Sequence, residues 1–354
     1  MDFFPSQVFR VERSAGGWVV QANVQPISKV LHCKRRWIGR PAAEILYEEL
    51  RWEDPEISLQ QGKEVWLYRK SQKAGQGELI LLDGDELRFN RLVQEPAVSI
   101  GEIPYLIAPT RDYRDPPFVT VFKPHGIATT PQGSFFRNNM HWIMRNQLGD
   151  EVLSTKQVYL KPVNRLDRCT AGVLIFARTP EASAKTIVKE KLYLAMVEPK
   201  GVVDINRLNG FVVNDRLAVQ KHVPGQVLRT EISGDGVEAL TEFSKLIPAI
   251  DGKGSYFVLC RPITGRTHQI RAHLSSVGLP IVGDICYSEA KFNGLSQPER
   301  INLLAWKYVV SIQDRDYEYN ADKLPAWAFG VMFEELLDSM PSSYSSKGSQ
   351  FSSL

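Results

Sequence analysis

Two stretches of this sequence carry side chains whose types and spacing could do chemistry. The first, residues 163–178, reads VNRLDRCTAGVLIFAR. Its second half, 172–177, is an apolar run rich in β-branched and aromatic residues and bounded by charge, which predicts a buried strand. Arg165 and Asp167 stand just before that strand, with Thr170 and Ala171 in the turn between. An acid there sits at the edge of the core, where neighbours can fix its orientation and a substrate can still reach it. The second stretch, residues 261–287, reads RPITGRTHQIRAHLSSVGLPIVGDICY. Thr264-Gly265 is a turn, and Thr267 is expected to cap a helix that runs to Ser276 and stops at Gly278. Ile270, Leu274 and Val277 share one apolar face of that helix, while His268 and Arg271, at i and i+3, share another. Arg271 is therefore presented on a rigid flank, well placed to pair with a carboxylate.

Other chemistries are excluded by what is absent. His268 and His273 lie five residues apart, about 500° around a helix, so their rings diverge by roughly 140° and cannot share a metal. There is no HExxH, no GxxxxGK[ST] phosphate loop, no GxGxxG after a strand and no GxSxG elbow. The remaining set of an Asp, an Arg, a Tyr and basic residues suits reaction at a sugar carbon. An ionised Asp can attack C1′ of a nucleotide or take a C2′ proton, and an Arg partner keeps it ionised and aimed. No metal and no organic cofactor is expected.

The elements that must position these residues fit a large domain plus a smaller one, the natural division of 354 residues. An apolar fraction of 43% suffices for a sizeable core, and a net charge of +3 permits a nucleic-acid partner only through local basic surfaces. Cys33, Cys169, Cys260 and Cys286 stand singly and read as free thiols in a reducing compartment. No apolar run approaches the ~18 residues of a membrane helix, and residues 1–17 lack a signal-peptide core. Residues 18–24 suggest an edge strand. Lys34, Arg35 and Arg36 with Trp37 precede Pro41, after which Ala42, Ile45, Leu46 and Leu50 fall on one helical face. Segments 65–70 and 79–90, with a turn at Asp83-Gly84, complete a small β-unit. A proline-punctuated connector follows. The main domain is expected to open at 118 with a strand and a turn at Pro124-His125-Gly126. Asn138 should cap a helix with Trp142 and Ile143 inward. In the strand 191–197, Leu192, Leu194 and Met196 alternate with Tyr193, which puts Tyr193 on the opposite face.

Together the two stretches resemble the signature pair of the RluA-type pseudouridine synthases, which isomerise uridine in RNA. The resemblance covers about residues 118–330. It implies that Asp167 is the catalytic aspartate, that Arg165 holds the RNA open around a flipped uridine, and that Arg271 pairs with the aspartate. The family's lysine–any–tyrosine strand matches Lys191 and Tyr193, the tyrosine stacking on uracil and assisting the C5 proton. Residues 265–271 agree throughout, which adds Arg266 and His268 as substrate contacts, and Gly283-Asp284 follows as in the family. Asn164 stands where the family usually has His, Ala171 where it has Ser, and the segment between Arg178 and Tyr193 is short. Residues 94–96 and 133–138 look closer to eukaryotic members, several of which act on tRNA. The basic segment ending in a helix and "DGDEL" is similar to a degenerate S4-like RNA-binding domain, with Lys34, Arg35 and Arg36 touching phosphate and Trp37 stacking.

The expected fold is therefore α+β, a mainly antiparallel catalytic sheet with a small N-terminal domain. Its divisions are 1–95 (S4-like), 96–117 (linker), 118–338 (catalytic) and 339–354 (a Ser-rich disordered tail). The expected function is cofactor-independent isomerisation of specific uridines in tRNA or rRNA by cleavage of C1′–N1 and reattachment through C5. The competing expectation is an RNA-binding or ribosome-assembly protein on the same fold. RNA is the expected partner, tRNA ahead of rRNA. A monomer is expected, with no membrane association. The cytoplasm is the expected location, with mitochondrion or nucleus as alternatives.

Overall fold

A computed structural model describes residues 9–341, apart from 16, 24, 51–64, 71, 74–78, 94, 112–115, 133–134, 152–158, 206–207, 221–228 and 289–299. The chain opens on an antiparallel hairpin, β1 (Phe9–Ser14) and β2 (Gly17–Ala22). Next come β3 (Gln25–His32), helix α1 (Ala42–Leu50), β4 (Val65–Arg69), β5 (Gln72–Lys73) and β6 (Glu86–Val93). These four strands form their own sheet in the order β3-β6-β4-β5. β7 (Val98–Ile100) then returns to pair with β2.

The small unit is built around one apolar face. Ala42, Ile45 and Leu46 of α1 pack on Leu67, Leu81, Leu87 and Trp37. Trp37 is 0% exposed, so the expectation that its ring stacks on RNA is corrected: the indole fills the space beneath α1. The DGDEL turn has a local cause as well. Asp85 accepts both Arg69 nitrogens, at 2.9 and 2.8 Å, and the Leu82 N–H at 2.9 Å. The Arg69 guanidinium, assisted by that N–H, holds the carboxyl below its ordinary value against burial. The strand expected over 79–90 begins only at Glu86, because Leu82 to Asp85 is spent on this turn.

The first hairpin belongs elsewhere. Val20 and Ala22 face inward with Phe9, Val98 and Ile100, and all five pack against Val121, Ile127, Met140, Ile143, Leu174 and Phe176 of the main body. Strands β1 and β2 thus lie on the main body, although they fall within the stretch 1–95. Likewise 96–117 is more than a connector, since β7 and β8 (Tyr105–Leu106) are both sheet-paired.

The main body continues with β9 (Phe118–Lys123), α2 (Met140–Glu151), β10 (Lys161–Pro162), β11 (Ala171–Ala177), α3 (Pro180–Lys185) and β12 (Ile187–Val197). β13 (Phe211–Val219), β14 (Thr230–Ile232), β15 (Val237–Phe243), β16 (Ile247–Pro248) and β17 (Tyr256–Pro262) follow. Helices α4 (Gln269–Ser276) and α5 (Ile285–Ser288), β18 (Leu303–Ile312), β19 (Arg315–Asn320) and α6 (Phe333–Asp338) complete it. Twelve strands form one sheet, with the path β14-β13-β15-β17-β12-β18-β11-β9-β8. All its pairings are antiparallel except β11 with β18. The fold is α+β, a sheet-rich body with few helices. α3 is six residues long, capped by Thr179 through the Ala182 N–H.

Two cap assignments shift by one residue. Asn139, not Asn138, caps α2, accepting the Trp142 N–H at 2.9 Å. Asn138 donates instead to the Pro96 carbonyl, and the buried Glu95 carboxylate accepts the Arg137 and Asn138 N–H groups. α4 starts at Gln269 with His268 as its cap residue, and no side chain caps it. Thr267 is displaced from that role because Gln269 reaches back, its Oε1 accepting the Arg266 N–H at 2.9 Å and the Thr264 hydroxyl at 2.7 Å. At the far end, Ser339 and Pro341 are tied to the body. The Ser339 hydroxyl accepts the Lys245 N–H, and the Pro341 carbonyl accepts Arg261. The rest of the Ser-rich tail, 342–354, lies outside the described residues.

Candidate active site

The loop 164–170 is fixed from several sides before it presents Asp167. Thr129 donates its hydroxyl to the Leu166 carbonyl at 2.9 Å and accepts the Leu166 N–H at 3.1 Å. The Gly126 N–H donates to the Arg168 carbonyl. Lys123, fully buried at the end of β9, donates to the Pro124 and Ile127 carbonyls at 2.9 Å and to the Arg168 carbonyl at 3.3 Å. Burial pushes its ammonium down to about 7. Asn164 pairs with β11 as a strand would, donating to the Val173 carbonyl and accepting the Ile175 N–H. Gly172 lets β11 approach β18, since a Cβ there would lie 2.2 Å from the Ala305 carbonyl oxygen, and its φ is +121°.

Onto this fixed loop α4 brings a guanidinium. Arg271 Nη1 donates to Asp167 Oδ2 at 3.1 Å, across 104 residues of sequence. The same guanidinium makes a second, tighter bond set with Asp284: Nε to Oδ2 at 2.6 Å and Nη2 to Oδ1 at 2.9 Å. The Arg271 side chain is 3% exposed, that of Asp284 0%, and that of Asp167 33%. Two carboxylates on one buried guanidinium satisfy its fork geometry. The inner one anchors it, and the outer one is held but open to solvent. His268 Nε2 lies 3.7 Å from the same Asp167 Oδ2. Burial opposes ionisation of Asp167, yet His268, where the acid that titrates Asp167 also protonates it, and Arg271 override burial and hold the carboxyl below its ordinary value.

Tyr193 is the fourth member of the group. It is 8% exposed and sits where β12 shifts register against β18. Its hydroxyl is bonded to that of the buried Tyr308, which Asn164 also reaches. Burial and Tyr308, with the Asp167 charge behind them, push its phenol far up. The strand is buried on both faces from Leu192 onward, so Tyr193 is packed rather than open.

The other expected contacts lie apart from this group. Arg165 is exposed two residues before Asp167. Lys191 donates to the Thr264 carbonyl at 2.9 Å, propping the turn that leads into α4, and burial pushes its ammonium down to about 8. Arg266 turns toward β15, where Nε donates to the Glu238 carbonyl. It lines a cavity of about 430 Å³ with Leu217, Thr230, Val237 and Thr267. Lys34, Arg35 and Arg36 are exposed on the small unit. Lys123, Tyr308 and Tyr287 are not singled out from sequence, and Asp284 is named there only as part of the family pattern, without its pairing to Arg271. For Asp284 a signal existed: a lone acid closing the apolar run LPIVGD, in the same stretch as Arg271. Among the described residues, no group of His, Cys, Asp and Glu is arranged to hold a metal ion, and no helix is long and apolar enough to cross a membrane.

A sheet-rich α+β body with an oriented, partly open carboxylate at the start of a buried strand is the class this geometry defines. Comparison with known proteins is specific. The model of the RNA pseudouridylate synthase family matches residues 117–276. The tRNA pseudouridine synthase C of Vibrio parahaemolyticus is 30% identical over 209 residues, covering 53% of this chain and 76% of its own. Pseudouridylate synthase RPUSD2 of Mus musculus is 31% identical over 268 residues, 73% of this chain and 43% of its own. The mitochondrial tRNA pseudouridine(32) synthase of Saccharomyces cerevisiae is 28% identical over 265 residues, 72% of this chain and 52% of its own. The chain belongs to the RNA pseudouridylate synthase family. It spans about half the length of the mouse and yeast relatives.

Proposed function

We propose that this chain isomerises specific uridines in tRNA or rRNA to pseudouridine, with Asp167 as the catalytic carboxylate. One observation carries the reading. Asp167 is held through Oδ2 by a guanidinium that is itself anchored on Asp284, yet its side chain stays a third exposed. Such a carboxylate is ionised, aimed and reachable. It bonds to C1′ or takes the C2′ proton as the C1′–N1 bond breaks and its electron pair moves to uracil. The base turns and C5 bonds to C1′ as the Asp–C1′ bond breaks or, in the other route, as the carboxylic acid returns its proton to C2′. Either way the carboxylate is restored, and the C5 proton leaves to water as N1 gains one. No atom is lost, so no co-reactant is needed. Release of tritium from RNA labelled at uracil C5 tests the reaction directly. A wild type that releases none while binding RNA points to the RNA-binding alternative.

In this reading the flipped base meets the small part of the Tyr193 ring that stays exposed, the Tyr193 hydroxyl leaves Tyr308 to assist at C5, and Arg165 keeps the RNA open. Lys191, Arg266 and His268 serve substrate binding, Lys191 by propping the turn into α4 and Arg266 from the cavity beside it. Tyr193→Phe keeps the ring and is expected to slow single-turnover product formation by roughly 10²-fold, the scale of one acid–base group, with RNA affinity little changed. A wild-type rate would leave Tyr193 a stacking role alone.

The small N-terminal unit, read as S4-like, supplies RNA affinity through Lys34, Arg35 and Arg36, and the body from 118 onward supplies the chemistry. Changing the three basic residues to Ala should weaken RNA binding. The slope of log affinity against log salt should become shallower by about 0.7–0.9 for each phosphate no longer neutralised. Single-turnover rates at saturating protein should persist. An unchanged salt slope would make the cluster a solvated surface. tRNA is favoured over rRNA because the Vibrio and yeast relatives are named for tRNA. Action as a monomer is part of this reading. The free cysteines fit the cytoplasm. The mitochondrial naming of the yeast relative makes that compartment the alternative for imaging to decide.

A further inference from the structure

His268 is the one residue of the Asp167 group held in a left-handed backbone conformation, with φ +53°. Non-glycine residues pay for that conformation, and such strain persists where surrounding contacts over-determine it. The contacts here run through Tyr287, a buried residue on α5. Two guanidiniums stand over the Tyr287 ring, Arg229 at 5.2 Å and Arg271 at 5.0 Å from its centroid. Its hydroxyl oxygen accepts the Thr230 N–H at 2.9 Å and lies 3.1 Å from His268 Nδ1.

A tyrosine hydroxyl has one hydrogen. With the Thr230 N–H already donating to the oxygen, that hydrogen has a single acceptor among the described residues, His268 Nδ1. Were Nδ1 protonated, the oxygen would accept twice and the buried hydroxyl hydrogen would be left without a partner, which is costly. The ring therefore carries its hydrogen on the other nitrogen. Nε2 faces Asp167 Oδ2 at 3.7 Å, and an N–H there attracts the carboxylate where a lone pair would repel it. Arg271 bonds the same oxygen.

We propose that Tyr287 is a positioning residue that fixes His268 as the Nε2–H tautomer, so that His268 and Arg271 both address Asp167 Oδ2 and leave Oδ1 as the oxygen that meets the sugar. The assignment of Oδ1 rests on the reading of Asp167 as the catalytic carboxylate; the tautomer does not. The chain Thr230–Tyr287–His268–Asp167 also links β14 to the reacting carboxylate, so movement of that strand would reach the site through one imidazole. Burial, which holds the imidazole below its ordinary value, agrees with a neutral ring.

Two measurements test this, and one needs no activity. In protein labelled with ¹⁵N at its six histidines, the ring nitrogens of the two neutral tautomers have well-separated shifts, and His268→Gln identifies the signal to follow. The expected result is a neutral ring with hydrogen on Nε2. A hydrogen on Nδ1, or on both nitrogens at neutral pH, overturns the proposal whatever the enzyme does. The second measurement compares two substitutions by single-turnover tritium release. A Gln amide reaches the place of Nε2, whereas an Asn amide reaches only that of Nδ1. Asn tolerates the left-handed backbone far better than Gln. If His268 is a donor to Asp167, His268→Gln keeps a rate within about tenfold of wild type and His268→Asn loses about 10²-fold, the scale of one misdirected catalytic group. The reverse order would show that His268 serves the backbone alone. If the wild type itself releases no tritium, the reading of the reaction fails while the nitrogen shifts still decide the tautomer.

Discussion

Asp167→Asn is expected to abolish tritium release while RNA still binds. The substitution keeps the shape of the side chain and removes the charge that either attacks C1′ or takes the C2′ proton. Loss of a nucleophile costs on the order of 10⁴-fold or more in rate. Affinity should hold, because it rests mainly on contacts to the RNA backbone spread over a larger surface. The substitution also relieves nothing in the fold, since Arg271 keeps its two bonds to Asp284. Thermal stability at neutral pH is therefore expected to fall only by the modest increment that the ionised Asp167 contributes. The pH behaviour follows from the lowered Asp167 pKa, which burial opposes and His268 and Arg271 bring about. A carboxyl depressed in the folded state adds stability that is present above its unfolded value, about 3.9, and lost as pH falls through the folded value. Wild type should lose this increment only in strong acid, and Asp167→Asn should lack it. Any fall in rate between pH 7 and pH 5 must then come from another group. Activity in Asp167→Asn close to wild type would remove the proposed mechanism altogether.

Much of this site was legible in the sequence because it depends on local periodicity. The apolar run after Asp167 reads as a strand, and β11 is buried along its whole length. The i, i+3 spacing of His268 and Arg271 reads as a shared helical flank; Arg271 does reach Asp167 Oδ2 from α4, whereas His268 approaches it from the left-handed cap position before the helix. What local pattern could not supply was the third dimension. Nothing near Trp37 says whether an aromatic beside three cations faces RNA or core. Only the packing of Leu67, Leu81 and Leu87 beneath α1 decides it. The same holds for Tyr193, whose alternation with Leu192 and Leu194 suggests two unlike faces. The sheet is covered on both sides there, so its hydroxyl meets Tyr308, 115 residues on. Thr267 has the right chemistry to cap a helix but lost to Gln269, whose longer side chain closes the turn from inside the helix. The hairpin β1–β2 was assigned by its position in the chain, and burial of Val20 and Ala22 against the main body overrides that order. Asp284 was visible as a residue but not as a partner. A carboxylate gains a role only when a guanidinium is aimed at it, and sequence gives no direction.

Asp284→Asn is the substitution expected to cost most in stability. Asp284 is wholly buried, and its two oxygens carry the Nε and Nη2 bonds of Arg271, itself 3% exposed. Removing the charge leaves a buried guanidinium whose remaining carboxylate, Asp167, is bonded through one nitrogen only. Breaking one side of a buried ion pair costs roughly 3–5 kcal/mol, so Tm should fall by roughly 5–15 °C. The rate should fall too, because Arg271 loses the anchor that sets its approach to Asp167, and displacement of about 1 Å at a catalytic group can cost 10²-fold. The double change Arg271→Met, Asp284→Leu separates the two roles. Apolar side chains of similar volume remove the uncompensated charge, and such replacements are often neutral or stabilising. The double variant should therefore recover most of the lost Tm while tritium release stays near the background, because Asp167 then has no guanidinium at all. Arg271→Lys should also be severely impaired, since an ammonium cannot bind two carboxylates through a planar fork. If the double variant regained activity along with stability, Arg271 would be a structural residue and the orientation of Asp167 would have to rest on His268 and the loop contacts of Thr129 and Lys123.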